Sequence, residues 1–178
     1  MTEGRQRLFF ALWPDPAARQ ALVATGRRHL RGPGRRVAPE LLHATVLFLG
    51  SIDREQRACL EAHAGGLAVS AFALELRRVG SWSRSRVLWA APEESPAPLL
   101  ELSRLLRSAA LACGLPVEER GFSAHVTLAR KVARRHPPVD IPPISWEVDR
   151  FSLVASDTLP EGPRYEVVAQ WPLASGPG

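Results

Sequence analysis

The chain has 178 residues, 46% of them hydrophobic, which is enough apolar material for one sizeable domain or two small interlocked lobes. No run approaches the ~18 apolar residues that a membrane span needs, and the opening M-T-E-G-R-Q-R-L-F-F-A-L-W-P-D lacks a signal-peptide layout, its short apolar run leading into Pro-Asp. A net charge of +5 and a pI near 10.4 point to a polyanionic partner, RNA or a nucleotide, and away from mimicry of an acidic protein.

Residues 8–13 read as a first strand, ended by Pro14. Asp15-Pro16 resembles an N-cap with proline in the first turn, opening a helix to about residue 30. Arg27, Arg28 and Arg31 lie at the end of that helix, and Arg35 and Arg36 in the loop over 32–39. These arginines can complement the helix dipole or form a rim that steers nucleic-acid backbone. Residues 42–49 read as a strand closed by Gly50, and Asp53 with Gln56 predicts a capping box for a helix to about residue 67. Strands at 72–79 and 87–91 form a hairpin across S-W-S-R-S-R. An amphipathic helix over 99–113 is stopped by Gly114. A strand at 124–129, a Pro-rich irregular segment at 133–143, and strands at 144–156 and 165–171 complete the pattern.

Cys59 and Cys113 have no C-x-x-C spacing, so neither a disulfide nor a thiolate metal site is expected, and a reduced cytoplasm is the expected compartment. Lys131 is the single lysine; all other basic residues are arginine. Arginine suits bidentate phosphate contacts, and genome composition accounts for the same bias equally well.

The most informative pattern is H-x-T-x written twice, as His43-Ala44-Thr45-Val46 and His125-Val126-Thr127-Leu128, each within a β-prone run. Residues i and i+2 of a strand share a face, so each motif presents an imidazole beside a hydroxyl. Two such strands facing one another supply two titratable groups and two neutral hydrogen-bond donors, the equipment for metal-free phosphoryl chemistry. Imidazole, with an ordinary pKa of about 6.5, can give or take a proton near neutrality. The 82 residues between His43 and His125 suggest two similar halves. The expected fold is α+β, with two antiparallel sheets and flanking helices about a central cleft. A single bilobal domain then covers 1–178, its halves related by a pseudo-two-fold.

The paired motifs resemble those of the two-histidine (2H) phosphoesterase superfamily, and within it the RNA 2′,3′-cyclic phosphodiesterases, also called 2′-5′ RNA ligases. R-L-F-F-A-L-W-P, H-A-T-V-L-F-L-G, G-F-S-A-H-V-T-L-A-R and G-P-R-Y-E-V-V-A-Q-W-P-L carry the likeness over nearly the whole chain. Ala124 replaces a proline frequent in the family, and Ala44 a larger apolar residue; neither removes a chemical group. The resemblance implies hydrolysis of a terminal 2′,3′-cyclic phosphate to a 2′-phosphate, with His125 as proton acceptor and His43 as proton donor. The residues alone do not distinguish those two roles. It also implies reverse 2′-5′ ligation without ATP as a side activity.

Thr45 and Thr127 are expected to bind phosphate oxygens. Arg130 falls on the face opposite His125 in a regular strand and can join them only if the strand ends or bulges near Ala129. Trp82 is the candidate for base stacking, with Phe9 and Trp13 more at home in the core and Tyr165 a further aromatic. His29, His63 and His136 read as surface residues. No cofactor or metal is expected, nor a membrane partner, and the chain is expected to be monomeric. Competing substrates are ADP-ribose 1″,2″-cyclic phosphate and 2′-5′ oligoadenylates. A non-catalytic RNA-binding module is the competing class, disfavoured because binding alone needs no pair of proton-transfer groups.

Overall fold

Residues 4–176 are described by the computed structural model, and their nine strands form one sheet in the order β7-β4-β5-β6-β3-β1-β8-β9, with β2 paired to β6 outside that path. The strands are β1 Gln6–Leu12, β2 Arg35–Arg36, β3 Ala44–Ile52, β4 Phe72–Trp82, β5 Val87–Ala91, β6 Val126–Arg130, β7 Val139–Val148, β8 Arg150–Leu159 and β9 Gly162–Pro172. All pairings between these strands are antiparallel. The fold is α+β, as expected. The two expected sheets are edge-to-edge parts of one continuous sheet, joined where Ala44 of β3 pairs with Val126 of β6.

The two strand groups are not successive halves of the chain. β3, β1 and the C-terminal β8 and β9 lie side by side in one group, while β4 to β7 form the other. The cause is long-range pairing: Leu8, Phe9, Phe10 and Ala11 lie opposite Ala155, Val154, Leu153 and Ser152.

The helices are α1 Pro16–His29, α2 Arg54–Gly65 and α3 Ala97–Ala112. Their ends follow local chemistry. The Asp15 carboxylate accepts from the Ala18 amide at 2.8 Å, and Asp53 and Gln56 form the predicted reciprocal capping box. Gly114, with φ 74°, supplies the left-handed residue after α3. Helix α1 follows β1 yet packs against β6 and β7, whereas α3 follows β5 and packs against β3. Each strand group is therefore supported by a helix from the other's stretch of chain. Alternation in β1 separates the layers. Leu8, Phe10 and Leu12 enter the main core, while Phe9 and Ala11 join Val154, Trp13 and Tyr165 in a small cluster on the other face.

Three sequence expectations need correction. The segment over 133–143 is not wholly irregular, because β7 begins at Val139 and contains Pro142 and Pro143. The two prolines are tolerated because one side of β7 is a free edge and the side facing β4 is irregular between the Asp140–Arg78 and Ile144–Leu76 pairs. The expected strand over 144–156 is two strands, divided at Asp149. In the expected loop over 32–39, Arg35 and Arg36 pair with Arg130 and Ala129.

Cys59 and Cys113 form a disulfide between α2 and the end of α3, their Cα atoms 5.8 Å apart. The sequence reading expected none, because no local spacing registers a contact between two helices. A disulfide is at odds with the reducing compartment expected from the cysteine spacing. Among the described residues, no helix is long and apolar enough to cross a membrane.

Closing a loop this long restricts the unfolded chain. Thiol titration of the denatured, unreduced protein should therefore find no free thiol, and two after reduction. Reduction should lower the unfolding free energy by about 2–4 kcal/mol, measured as a lower urea midpoint.

Candidate active site

His43 and His125 each sit one residue before a strand, β3 and β6 respectively. In each the ring is tied to the carbonyl two residues earlier. His43 Nδ1 lies 2.7 Å from the Leu41 oxygen, and His125 Nδ1 lies 2.9 Å from the Ser123 oxygen. A carbonyl only accepts, so each Nδ1 carries hydrogen and each Nε2 is the nitrogen left for chemistry. The sequence reading missed these two anchors, although their equal spacing before each histidine was visible.

The register through Ala44 and Val126 sets His43 across from Thr127, and Thr45 across from His125. The four motif side chains are half-buried, while Ala44, Val46, Val126 and Leu128 between them are buried. That alternation turns His43, Thr45, His125 and Thr127 to one face. Thr45 Oγ1 lies 2.9 Å from His43 Nε2, donating to the neutral ring or accepting from the protonated one.

Arg130 meets the condition set for it. Thr127 pairs with Trp89 and Ala129 with Leu88, so Leu128 is an extra residue in β6. That bulge returns Arg130 to the face of Thr127. His43, Thr127 and Arg130 line a cleft of about 580 Å³, with Tyr165 and the ends of β2 and β9. Thr45 and His125 stand beside this cleft rather than on its wall.

Aromatic rings frame both imidazoles. His43 has Phe9 at 5.1 Å, Trp13 at 5.5 Å and Tyr165 at 5.4 Å between ring centroids. His125 has Trp82 edge-on at 4.7 Å. Trp82, at the end of β4, is 38% exposed, enough surface for a base to cover. Phe9 is buried, as expected, but beneath His43 rather than in the main core. Phe48 is 64% exposed, lies 5.8 Å from Phe9, and was not singled out from the sequence.

Of the other histidines, His63 is exposed as expected, but His136 is buried. Its Nδ1 lies 2.8 Å from the Pro137 carbonyl and its Nε2 3.1 Å from His29 Nδ1. It bonds through its backbone to Ser81 of β4 and through its ring to His29 of α1, contacts that a loop sequence does not disclose. His63 with Cys59 and Cys113 is the one group of metal-ligand type among the described residues, and both sulfurs there are in the disulfide.

Burial pushes both motif imidazoles below their ordinary pKa, because the charged form loses hydration. The Leu41 and Ser123 carbonyls oppose this by favouring the charged ring. The Arg130 guanidinium lowers both further, and the His125 charge adds to the effect at His43.

The chain matches the family described as the 2′-5′ RNA ligase superfamily over residues 13–159. It is 35% identical over 173 residues to the RNA 2′,3′-cyclic phosphodiesterase of Escherichia coli strain K12, covering 94% of this chain and 97% of that one. It is 33% identical over 196 residues to the enzyme of that name from Thermus thermophilus, covering 97% and 96%. The structure is similar to that of E. coli LigT in apo form, with a TM-score of 0.86 at 34% identity over 96% of this chain and 99% of that one. LigT complexed with 3′-AMP gives a TM-score of 0.85 at 35% identity, covering 95% and 98%.

Proton titration followed by NMR at the ring carbons should place both His43 and His125 below about 6.5 in the free protein, and Arg130→Met should move both upward. Between those lowered values and 6.5 the unfolded chain binds more protons than the folded one, so stability should fall as pH drops through that window.

Proposed function

This chain belongs to the 2′-5′ RNA ligase superfamily, and we propose that it is an RNA 2′,3′-cyclic phosphodiesterase, opening the terminal ring to a 2′-phosphate. The observation that carries the reading is the pair of imidazoles, each anchored through Nδ1 so that Nε2 is the nitrogen left for chemistry, on strands joined at Ala44 and Val126. The names of the relatives favour RNA over ADP-ribose 1″,2″-cyclic phosphate and 2′-5′ oligoadenylates. A binding module would need neither anchored nitrogen.

Water is a poor nucleophile and an alkoxide a poor leaving group, so both ends of the displacement need a proton transfer. His125 Nε2 takes a proton from water as its oxygen attacks phosphorus. The bond from phosphorus to the 3′ oxygen breaks, and His43 Nε2 gives its proton to that oxygen. The 2′ ester bond survives, and the two rings exchange protons with solvent to restore the starting state. These assignments follow the resemblance; the local geometry of the two rings is alike.

Thr45 releases His43 to donate to a non-bridging oxygen, Thr127 donates to the other, and Arg130 neutralises charge that develops there. Substrate binding also corrects the protonation problem. The free rings favour the neutral form, whereas the phosphate anion favours a charged ring and so recruits the proton that the acid must carry. Trp82 offers a face for the terminal base. Residues 1–178 are read as one catalytic domain, supported by the exchanged helices. The RNA substrate, not the cysteines, argues for a cytoplasmic location.

His43→Ala and His125→Ala should each lower kcat by about 10²–10⁴-fold, with circular dichroism unchanged. An oligonucleotide ending in a 2′,3′-cyclic phosphate, incubated in EDTA, should give a 2′-phosphate end identified by phosphorus NMR. A 3′-phosphate product, or full activity in either variant, would refute the mechanism. Thr45→Ala should lower the rate less than loss of either histidine, measured on the same substrate.

A further inference from the structure

Beyond the residues assigned to the reacting phosphate, the cleft carries more positive charge than that group requires. Arg35, Arg36, Lys131 and Arg164 line it together with Arg130, against the two carboxylates of Glu40 and Glu161. A cyclic phosphodiester bears a single negative charge, which Arg130 and one protonated imidazole already meet. Among the described residues, the salt bridges formed involve none of these five cations.

The backbone brings these charges together against their repulsion. Arg35 of β2 lies directly opposite Arg130 of β6. Residues so paired share a face with Cβ atoms about 4.5–5.5 Å apart, and like charges there are destabilising unless something lies between them. Arg35 is also held in position: its Nη2 donates to the Glu161 carbonyl at 3.0 Å. Gly162, with φ 131°, lets the β8–β9 turn approach closely, since a Cβ there would come within 3.0 Å of that nitrogen. The same turn leads into Arg164, and Tyr165 beyond it stands edge-on to His43 at 5.4 Å. On the other side, Lys131 has φ 54°, a left-handed conformation rare for lysine that turns the chain just past β6. Arg86 Nη2 donates to the Lys131 carbonyl at 3.3 Å. These cations thus line the same cleft as His43 and Thr127.

We propose that Arg35, Lys131 and Arg164 form a subsite for a second phosphate, the one carried on the 5′ oxygen of the terminal nucleoside. The inference rests on the phosphodiesterase reading and deepens it, for it makes the preferred substrate a nucleotide with phosphate on both sides of its ribose. An RNA end supplies that group as an internucleotide diester, and a 5′-phosphorylated mononucleotide as a monoester. A nucleoside 2′,3′-cyclic phosphate lacks it.

The test is steady-state kinetics at fixed salt with three substrates. They are a nucleoside 2′,3′-cyclic phosphate, the same compound with a 5′-monophosphate, and a dinucleotide ending in the same cyclic phosphate. Both compounds with a second phosphate should show kcat/KM about tenfold or more above the first, through KM, as expected for one charge-assisted contact. Lys131→Ala and Arg164→Ala should bring that ratio towards one, and Arg164→Lys should retain most of it. Equal kcat/KM for all three substrates would overturn the subsite and leave the phosphodiesterase reading standing. A preference that persists in both alanine variants would overturn it as well, as would a gain confined to the dinucleotide, which would belong to the added nucleoside. Hydrolysis of none of the three would refute the phosphodiesterase reading and the subsite with it.

Discussion

The site depends on a single backbone contact, the pairing of Ala44 with Val126. β3 and β6 could have formed a long ladder, with their side chains packed among cross-strand neighbours. They meet instead near their N-terminal ends and then diverge to separate partners, β1 and β5. The histidines therefore lie just before regular strand begins, where preceding carbonyls are free to anchor the rings. One contact is little by itself, and the helices stabilise the junction: α1 lies under β6 and β7, and α3 under β3. Separating the strand groups would expose both helix faces, and Leu22, Leu99, Leu102 and Leu106, which are all buried, would lose their cover.

The electrostatics follow from that placement. Two imidazoles are partly withdrawn from water and both feel the Arg130 guanidinium, and both circumstances favour the neutral ring. Such a site has unused positive potential until an anion enters. Phosphate binding and imidazole protonation are then coupled, each favouring the other. The design needs no carboxylate partner for either histidine, since backbone carbonyls fix the ring orientation without adding negative charge that would repel substrate. Thr45 complements this arrangement: its hydroxyl lies 2.9 Å from His43 Nε2.

Irregularity in the backbone also serves the cleft. The bulge at Leu128 turns Arg130 towards Thr127, and left-handed Lys131 redirects the next side chain. A similar irregularity occurs in β1 and β3, where Phe9 lies opposite Phe48 and Ala11 opposite Thr45 with an unequal number of residues between. Each extra residue shifts which side chains share a face. The cleft collects aromatic rings and cations that a perfect alternation would have sent into the core or to the far side.

Local chemistry was legible in the chain. Asp15, Asp53 with Gln56, and Gly114 mark helix ends because capping involves neighbours within a few residues. The H-x-T-x pairs name the candidate reactive groups because a two-residue strand period puts each imidazole beside its hydroxyl. Tertiary structure alone decided the joining of β3 to β6, the grouping of terminal strands, the Cys59–Cys113 disulfide, the burial of His136 and the opposition of Arg35 to Arg130. These depend on pairing between distant segments and on single-residue bulges. The hydrogen-bond register of the whole sheet sets both, and residue periodicity carries no record of it.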